Sequence, residues 1–499
     1  MKINAIFDIY FTLPEIYLSI SIFYLLIFGV LLSVSKIKGY PLLSFTFSYL
    51  ILQVLFFTIF FFMNFPYLNF YSWNYFLTSD FFIYFSKIIL GLSVILWIYL
   101  SRNYTIQEKL NSFEYWLLIL LATLALFLIL QSYDITTTYL VIEFQSLTFY
   151  VLASFKRSSE FSTEAGLKYF VLGAFSSAFL LFGLSLLYGL TGLTNFLDLS
   201  IFFTGFLLEN KLLFFGTFIS LIFITSSLLF KISSAPFHMW SPDVYEGAPT
   251  SITAFFAIFP KLVIFTLLIR IYFFTFHDFF FLWKNLFLIT SFLSLFIGAL
   301  GAFTQNKWKR FLAYSSISHI GFISIGFLTG ELDGIFSIII YLFIYIVTSF
   351  SIFSFLISLR LYEYPKHYQI RYIFEVINLS KINPILSISL TLILFSMAGI
   401  PPLSGFFAKV FVLLIGIQSN YYILVLVAVF TSSISCFYYI RIIQTIYFIN
   451  TSKKFSLMIP ISKSNSLILG SSCIFLLLFF LDIELFSIPI NRMALSFSY

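Results

Sequence analysis

The chain has 499 residues, of which 61% are hydrophobic, 22% aromatic and only 9% charged, and its mean hydropathy is +1.04. That excludes a soluble globular protein, in which charged residues approach about 25%. The net charge of +7 does not point to nucleic acid, because the basic residues are scattered singly or in twos and threes.

Runs of about 20 apolar residues recur from end to end, each long enough to cross a hydrocarbon core of about 30 Å. Fourteen spans are predicted, at 12–34, 40–62, 80–100, 113–131, 134–155, 164–188, 212–240, 250–271, 281–303, 311–329, 334–359, 384–418, 421–448 and 466–485. Those at 212–240 and 384–418 are interrupted. The N-terminus runs almost directly into the first span with no cleavable presequence in view, which suggests synthesis inside the organelle or cell that uses the protein. The 73 Phe and 32 Tyr fit codon bias in an AT-rich genome, with Phe replacing Leu toward lipid.

Sixteen Lys and Arg fall in the loops after odd-numbered spans: Lys36, Lys38, Arg102, Lys109, Lys156, Arg157, Lys307, Lys309, Arg310, Arg360, Lys366, Arg371, Lys381, Lys453, Lys454 and Lys463. The other face has five, Lys2, Lys211, Arg270, Lys284 and Arg492. This asymmetry puts the first face in the cytoplasm or matrix, leaves both termini outside and supports an even number of spans. The loop after the seventh span is the exception, since it offers Asp243 and Glu246 on the basic side.

Six basic residues lie in or at the edge of spans. Lys87, about 10 Å from its span's start, can snorkel, as can Arg441. Lys168 stands one turn after Glu164, an i,i+4 pair. Lys261 is about 16 Å from either end of its helix, beyond comfortable snorkelling, and Glu143 is about 13 Å in from Asp134. A charge at that depth costs several kcal/mol and needs a partner or water.

Two stretches break the helical pattern beside a lysine. In KISSAPFHMWSPDVYEGAPTSITAFFAIFPK, an apolar run stops at Lys231, meets Ser233-Ser234-Ala235-Pro236, turns through a loop holding Asp243 and Glu246, and resumes with Pro260-Lys261 at mid-helix. In LFSMAGIPPLSGFFAKVFVLLIG, the helix is interrupted at Gly399-Ile400-Pro401-Pro402 and continues with Lys409. Proline removes a backbone donor and frees carbonyls that lipid cannot satisfy, so such a segment is tolerable only inside protein or beside water. Interrupted helices in two separate halves mark a transport site.

No redox centre is expected here. Cys436 and Cys473 give no C-x-x-C or metal spacing, four histidines are too few for two bis-histidine haems, and no G-x-G-x-x-G follows a strand.

EFQSLTFYVLASFKRSSEFSTEAGLKYFVLGAFSSAFLLFGLSLLYG, FKISSAPFHMWSPDVYEGAPTSITAFFAIFPK, KRFLAYSSISHIGFISIG and FSMAGIPPLSGFFAK together resemble the antiporter-like subunits of NADH:ubiquinone oxidoreductase (respiratory complex I). The likeness covers roughly 115–449 and is to the chain 2 type of mitochondria and alphaproteobacteria. The chain 4 type carries a glutamate in place of Lys409, and there is no room after Leu485 for the long lateral helix of the chain 5 type.

The resemblance implies an all-α membrane protein of about 14 transmembrane helices with two inverted five-helix repeats, each containing a broken helix. The segments are 1–112 (three helices), 113–272 and 281–449 (the repeats), and 450–499 (a C-terminal helix and tail). It implies a proton relay through Glu143, Lys231, Lys261 and Lys409, with His238 either a connecting relay or a holder of the helix break. His319 is a weaker candidate. FMN, iron–sulfur clusters and ubiquinone are expected on partner subunits, with no cofactor and no metal on this chain. The expected partners are other membrane-arm subunits of complex I, further antiporter-like subunits among them, and lipids. Nucleic acid and a second copy of the chain are not expected. The implied location is the mitochondrial inner membrane, or alternatively a bacterial inner membrane.

Burial can lower a lysine's pKa by about 3–5 from about 10.4, into the range where protons exchange, and a nearby carboxylate raises it again. Weakening a Glu143–Lys231 pair would then drive a proton toward Lys261 and on to Lys409. Against about 170 mV, one charge costs about 4 kcal/mol, equal to about three pKa units. One buried ion pair can supply that. The alternatives are a stand-alone cation/proton antiporter subunit, or a plastid or bacterial homologue of the same complex.

Overall fold

The computed structural model describes residues 2–32, 44–64, 69–110, 112–205, 211–363, 366–448, 457–458 and 460–497. The loop lysines Lys36, Lys38, Lys453 and Lys454 lie outside them. Among the described residues, eleven helices are long and apolar enough to cross a membrane. Three of the expected fourteen segments fall short of that. The first, Ile135–Ala153, is 19 residues long and carries Glu143 among threonines. The second is divided into Pro384–Ala398 and Ser404–Gln418, and the third is Lys463–Leu478.

The helices form because their apolar runs leave the backbone no other partner in lipid. Their serines and threonines turn hydroxyls back onto carbonyls three or four residues earlier, as Ser227 does to Ile224 at 2.8 Å and Ser351 to Thr348 at 2.7 Å. Large side chains such as Phe23, Phe56, Leu167 and Ile423 point outward, a surface that only lipid or a partner subunit can cover.

Two compact units divide the chain. The first holds Met1–Lys231, Phe259–Leu282 and Leu495–Tyr499; the second holds Ile232–Ile258 and Trp283–Ala494. In the first, Leu13–Leu32, Ser44–Met63, Phe81–Gln107 and Phe113–Gln131 pack around Trp97 and Trp116. Beside them Glu160–Thr191 meets Lys211–Ile232 at Gly183, where a Cβ would stand 3.0 Å from the Ser220 carbonyl oxygen. In the second unit, Phe280–Phe303 and Trp308–Ile325 touch through Gly298, where a Cβ would lie 2.5 Å from the Ser318 nitrogen, a small-residue contact suited to helices in lipid.

The all-helical expectation needs one addition, two small antiparallel sheets outside the spans. One is the hairpin Phe70–Ser72 with Leu77–Ser79. In the other, Arg360–Glu363 lies between Lys366–Gln369 and Leu457–Met458.

Candidate functional site

Glu143 sits eight residues into Ile135–Ala153, about 12 Å along the helix. Asp134 starts that helix by accepting from the Thr136 backbone N–H at 2.7 Å. Ser146 lies 3.3 Å from Glu143 Oε2, while the buried Oε1 has no hydrogen-bond partner. A buried polar oxygen left without a partner costs stability, so the site favours a group that can donate to it.

Lys231 is half-buried in the last turn of Lys211–Ile232, where a cation complements the helix's unsatisfied carbonyls. Glu143 is within electrostatic range of it, but the two make no direct ion pair. The expected break follows at once: Ser233 takes the left-handed conformation, φ 63°, which a non-glycine residue rarely adopts.

Lys261 lies beyond Pro260 in Thr250–Ile269 and is only 2% exposed. Every residue from 250 to 272 on this stretch is buried, whereas many residues of Glu160–Thr191 are exposed. Glu143, Lys231 and Lys261 therefore share the first unit.

Lys409 and His238 belong to the second unit. The helix Pro384–Ala398 ends at Gly399, φ 85°, and its successor starts at Ser404. Lys409 reaches back across this break: its buried Nζ donates to the Ala398 carbonyl at 2.6 Å and stands 5.3 Å from the centre of the Phe322 ring. A carbonyl freed by the break thus holds the ammonium.

His238 is buried with Nδ1 3.2 Å from the Pro236 carbonyl, so its ring ties together the backbone of the first break. His319 is also buried, with Nδ1 2.8 Å from the Tyr341 hydroxyl.

Several expectations need correction. Asp243 and Glu246 lie on a short helix, Trp240–Gly247, not in a loop; Pro242 is tolerated there because first-turn N–H groups have no partner anyway. Their presence on the basic face is explained by pairing. Glu246 accepts from Lys307 Nζ and forms an ion pair with Arg310, whose Nε stands 2.8 Å from Oε2, while Asp243 accepts from Arg310 Nη2. Lys309 adds a bond to the Ala248 carbonyl at 2.6 Å. Lys87 does not snorkel, being 2% exposed and paired with Glu15. Arg270, counted above as a loop charge, is buried and donates to Asp80 at 2.9 Å and Thr78 at 2.8 Å. Lys168 pairs with Glu164 at 2.9 Å on an exposed surface, and Arg441 is exposed.

Sequence reasoning missed Glu15. The available signal was a lone acid in the first span and a lone base in the third, both near the ends of their spans on the sparsely basic face.

The chain matches the family model described as NADH:quinone oxidoreductase/Mrp antiporter, TM, over residues 132–435. It is 43% identical to NADH-ubiquinone oxidoreductase chain 2 of Marchantia polymorpha, with 97% of each chain covered. It is 35% identical to NADH-quinone oxidoreductase subunit N of Paramagnetospirillum magneticum, covering 95% of this chain and 94% of that one. In fold it is similar to a chain of respiratory complex I from Thermus thermophilus with bound aureothin. There the TM-score is 0.76 and the identity 23%, over 95% of this chain and 98% of that chain.

Proposed function

Because the chain belongs to the family of NADH:quinone oxidoreductase and Mrp antiporter transmembrane subunits, we propose that it is a proton-translocating membrane-arm subunit of NADH:ubiquinone oxidoreductase, of the chain 2 type. It moves protons through buried side chains while quinone is reduced elsewhere in the complex. Near full-length likeness to relatives named NADH-ubiquinone oxidoreductase chain 2, from three plants, favours this over a free-standing cation/proton antiporter subunit. The same likeness supports the mitochondrial inner membrane as its location.

The spans number fourteen in this reading. The eleven long helices are joined by Ile135–Ala153, by the divided helix 384–418 and by Lys463–Leu478, which crosses with help from its flanks. Segments 113–272 and 281–449 are two inverted repeats, each with one interrupted helix, between the three-helix segment 1–112 and the tail 450–499. FMN, iron–sulfur clusters and ubiquinone reside on partner subunits, which include further antiporter-like chains.

The observation that carries the relay is Lys409 on the Ala398 carbonyl. The last carbonyls of Pro384–Ala398 offset a positive charge on Nζ, and burial opposes it. A change in the spacing of the two half-helices therefore acts directly on the proton that Nζ carries. Lys231 occupies the same kind of position at the end of its own helix, with Glu143 as the counter-charge that can be engaged or withdrawn. Lys261, buried in the same unit as Lys231, is the next residue of the relay, and His238 lines the first break.

The test is Lys261→Ala in the assembled complex of a tractable relative. NADH oxidation with an uncoupler should persist while proton translocation per NADH oxidised falls. An unchanged translocation ratio would remove Lys261 from the relay.

A further inference from the structure

A second acid–base pair lies in the first unit, away from Glu143 and Lys231. Glu15, in the first turn of Leu13–Leu32, is 5% exposed; Lys87, near the start of Phe81–Gln107, is 2% exposed, and its Nζ donates to Glu15 Oε1. The Phe62 ring centre is 5.0 Å from Nζ, and Glu15 Oε2 is buried without a hydrogen-bond partner.

A staple between two apolar helices needs none of this. Apolar side chains of similar volume do the same work at equal or better stability, and an unpaired carboxylate oxygen in a dry site is a cost. Ionisable groups kept in a membrane helix at such cost mark ion pathways.

The surroundings make the pair a tunable one. Arg270 follows Lys261 by nine residues on the same helical stretch and stands within electrostatic range of Lys87. It is held by Asp80, Thr78 and, at 3.4 Å, the Leu130 carbonyl. Asp80 caps the Lys87 helix, and its side chain is 26% exposed, so the cluster Glu15–Lys87, Arg270–Asp80 has one end open. The charges that act on Lys87 are those of Glu15 and Arg270, and Asp8 lies on Lys2–Phe11, which packs against the Glu15 helix. Tyr49, from Ser44–Met63, lies against Arg102 near the opposite end of the Lys87 helix, and Glu114 and Tyr115 begin Phe113–Gln131 at that same end. The hairpin strand contributes only Thr78.

We propose that Glu15 and Lys87 form a second proton-exchanging site, facing the sparsely basic side, which holds a proton in alternation with the Lys261 helix. In the step, an N–H bond of the Lys87 ammonium breaks and an O–H bond forms on Glu15. Carboxylate and ammonium become carboxylic acid and amine with no net change of charge. The proton then leaves from the Glu15 carboxyl to water on that side, and one proton arriving at the Lys87 amine restores the ion pair. Arg270 keeps its bonds to Asp80 and Thr78 throughout. The part played in transport rests on the relay proposed above; the exchange itself does not.

Two variants in the intact complex test this. Infrared difference spectra taken during turnover should contain a carboxylic-acid band that Glu15→Gln abolishes and Lys261→Ala retains. The double variant Glu15→Leu, Lys87→Met, a volume-matched apolar pair, should assemble and translocate fewer protons per NADH oxidised than the wild type. A wild-type translocation ratio in the double variant, or spectra unaltered by Glu15→Gln, would overturn the proposal. Failure of both variants to assemble would also overturn it, by making the pair a structural staple. Loss of translocation in Lys261→Ala with the Glu15 band unchanged supports both sites separately, whereas a band that persists while Lys261→Ala translocates normally sinks only the relay.

Discussion

The two helix breaks meet one requirement by different means. At the first, the lysine precedes the break: Lys231 closes its helix, Ser233 turns the chain in the left-handed region, and Trp240–Gly247 follows, held by Asp243 and Glu246 on Lys307 and Arg310. At the second, the lysine follows: Gly399 turns the chain, and Lys409 folds back onto the end of the preceding half-helix. In both, a cation is set near carbonyls that the interrupted ladder cannot use. The difference is in what fixes the turn. The first depends on a strained serine and a set of ion pairs, the second on glycines and close packing.

Substitutions at the two breaks should separate these designs. The largest effect is expected at Gly405, where a Cβ would lie 1.8 Å from the Ser396 carbonyl oxygen. Gly405→Ala must push apart two backbones, and a loss of about 3 kcal/mol or more, seen as failed assembly or a much lower Tm of the solubilised complex, follows. Next comes Gly399→Ala. Its φ of 85° costs an alanine about 1–2 kcal/mol, and the new Cβ would sit 2.8 Å from Lys409 Cδ. Because Lys409 must shift, translocation per NADH should fall further than the loss of thermal stability alone explains.

The first break should be more forgiving. Arg310→Ala removes contacts to both Asp243 and Glu246, but these groups are partly exposed, so the cost is about 1 kcal/mol and shrinks as salt is raised. A salt-independent loss of Tm would mean that packing, not charge, holds Trp240–Gly247. The smallest effect, and the opposite sign, is expected for Ser233→Gly. Glycine accepts the left-handed backbone and removes a buried hydroxyl that has no hydrogen-bond partner, so stability should be unchanged or higher by up to about 1 kcal/mol. A clear drop in Tm would show that Ser233 is held for its side chain.

Much of this was legible in the residues. Hydrophobic run length marked the spans, and both interruptions fall where proline and glycine put them. Depth along a helix singled out Lys261, which is almost fully enclosed. The failures share one cause. Lys87, Arg270, Asp243 and Glu246 were each read from their own segment, whereas their partners Glu15, Asp80, Lys307 and Arg310 come from elsewhere in the chain. A lysine about 10 Å from a span's end looks the same whether it snorkels or pairs.

The sequence by itself determined that this is a polytopic helical membrane protein, where its helices are interrupted and that Lys261 lies deep within its helix, because hydrophobic length and proline chemistry act locally. Only the tertiary structure decided which charges meet. It put Lys409 on the Ala398 carbonyl, Lys87 on Glu15 and Arg270 on Asp80. In a dry interior a charge takes whichever partner packing brings within about 3 Å, and that choice is made by contacts between residues far apart in the chain.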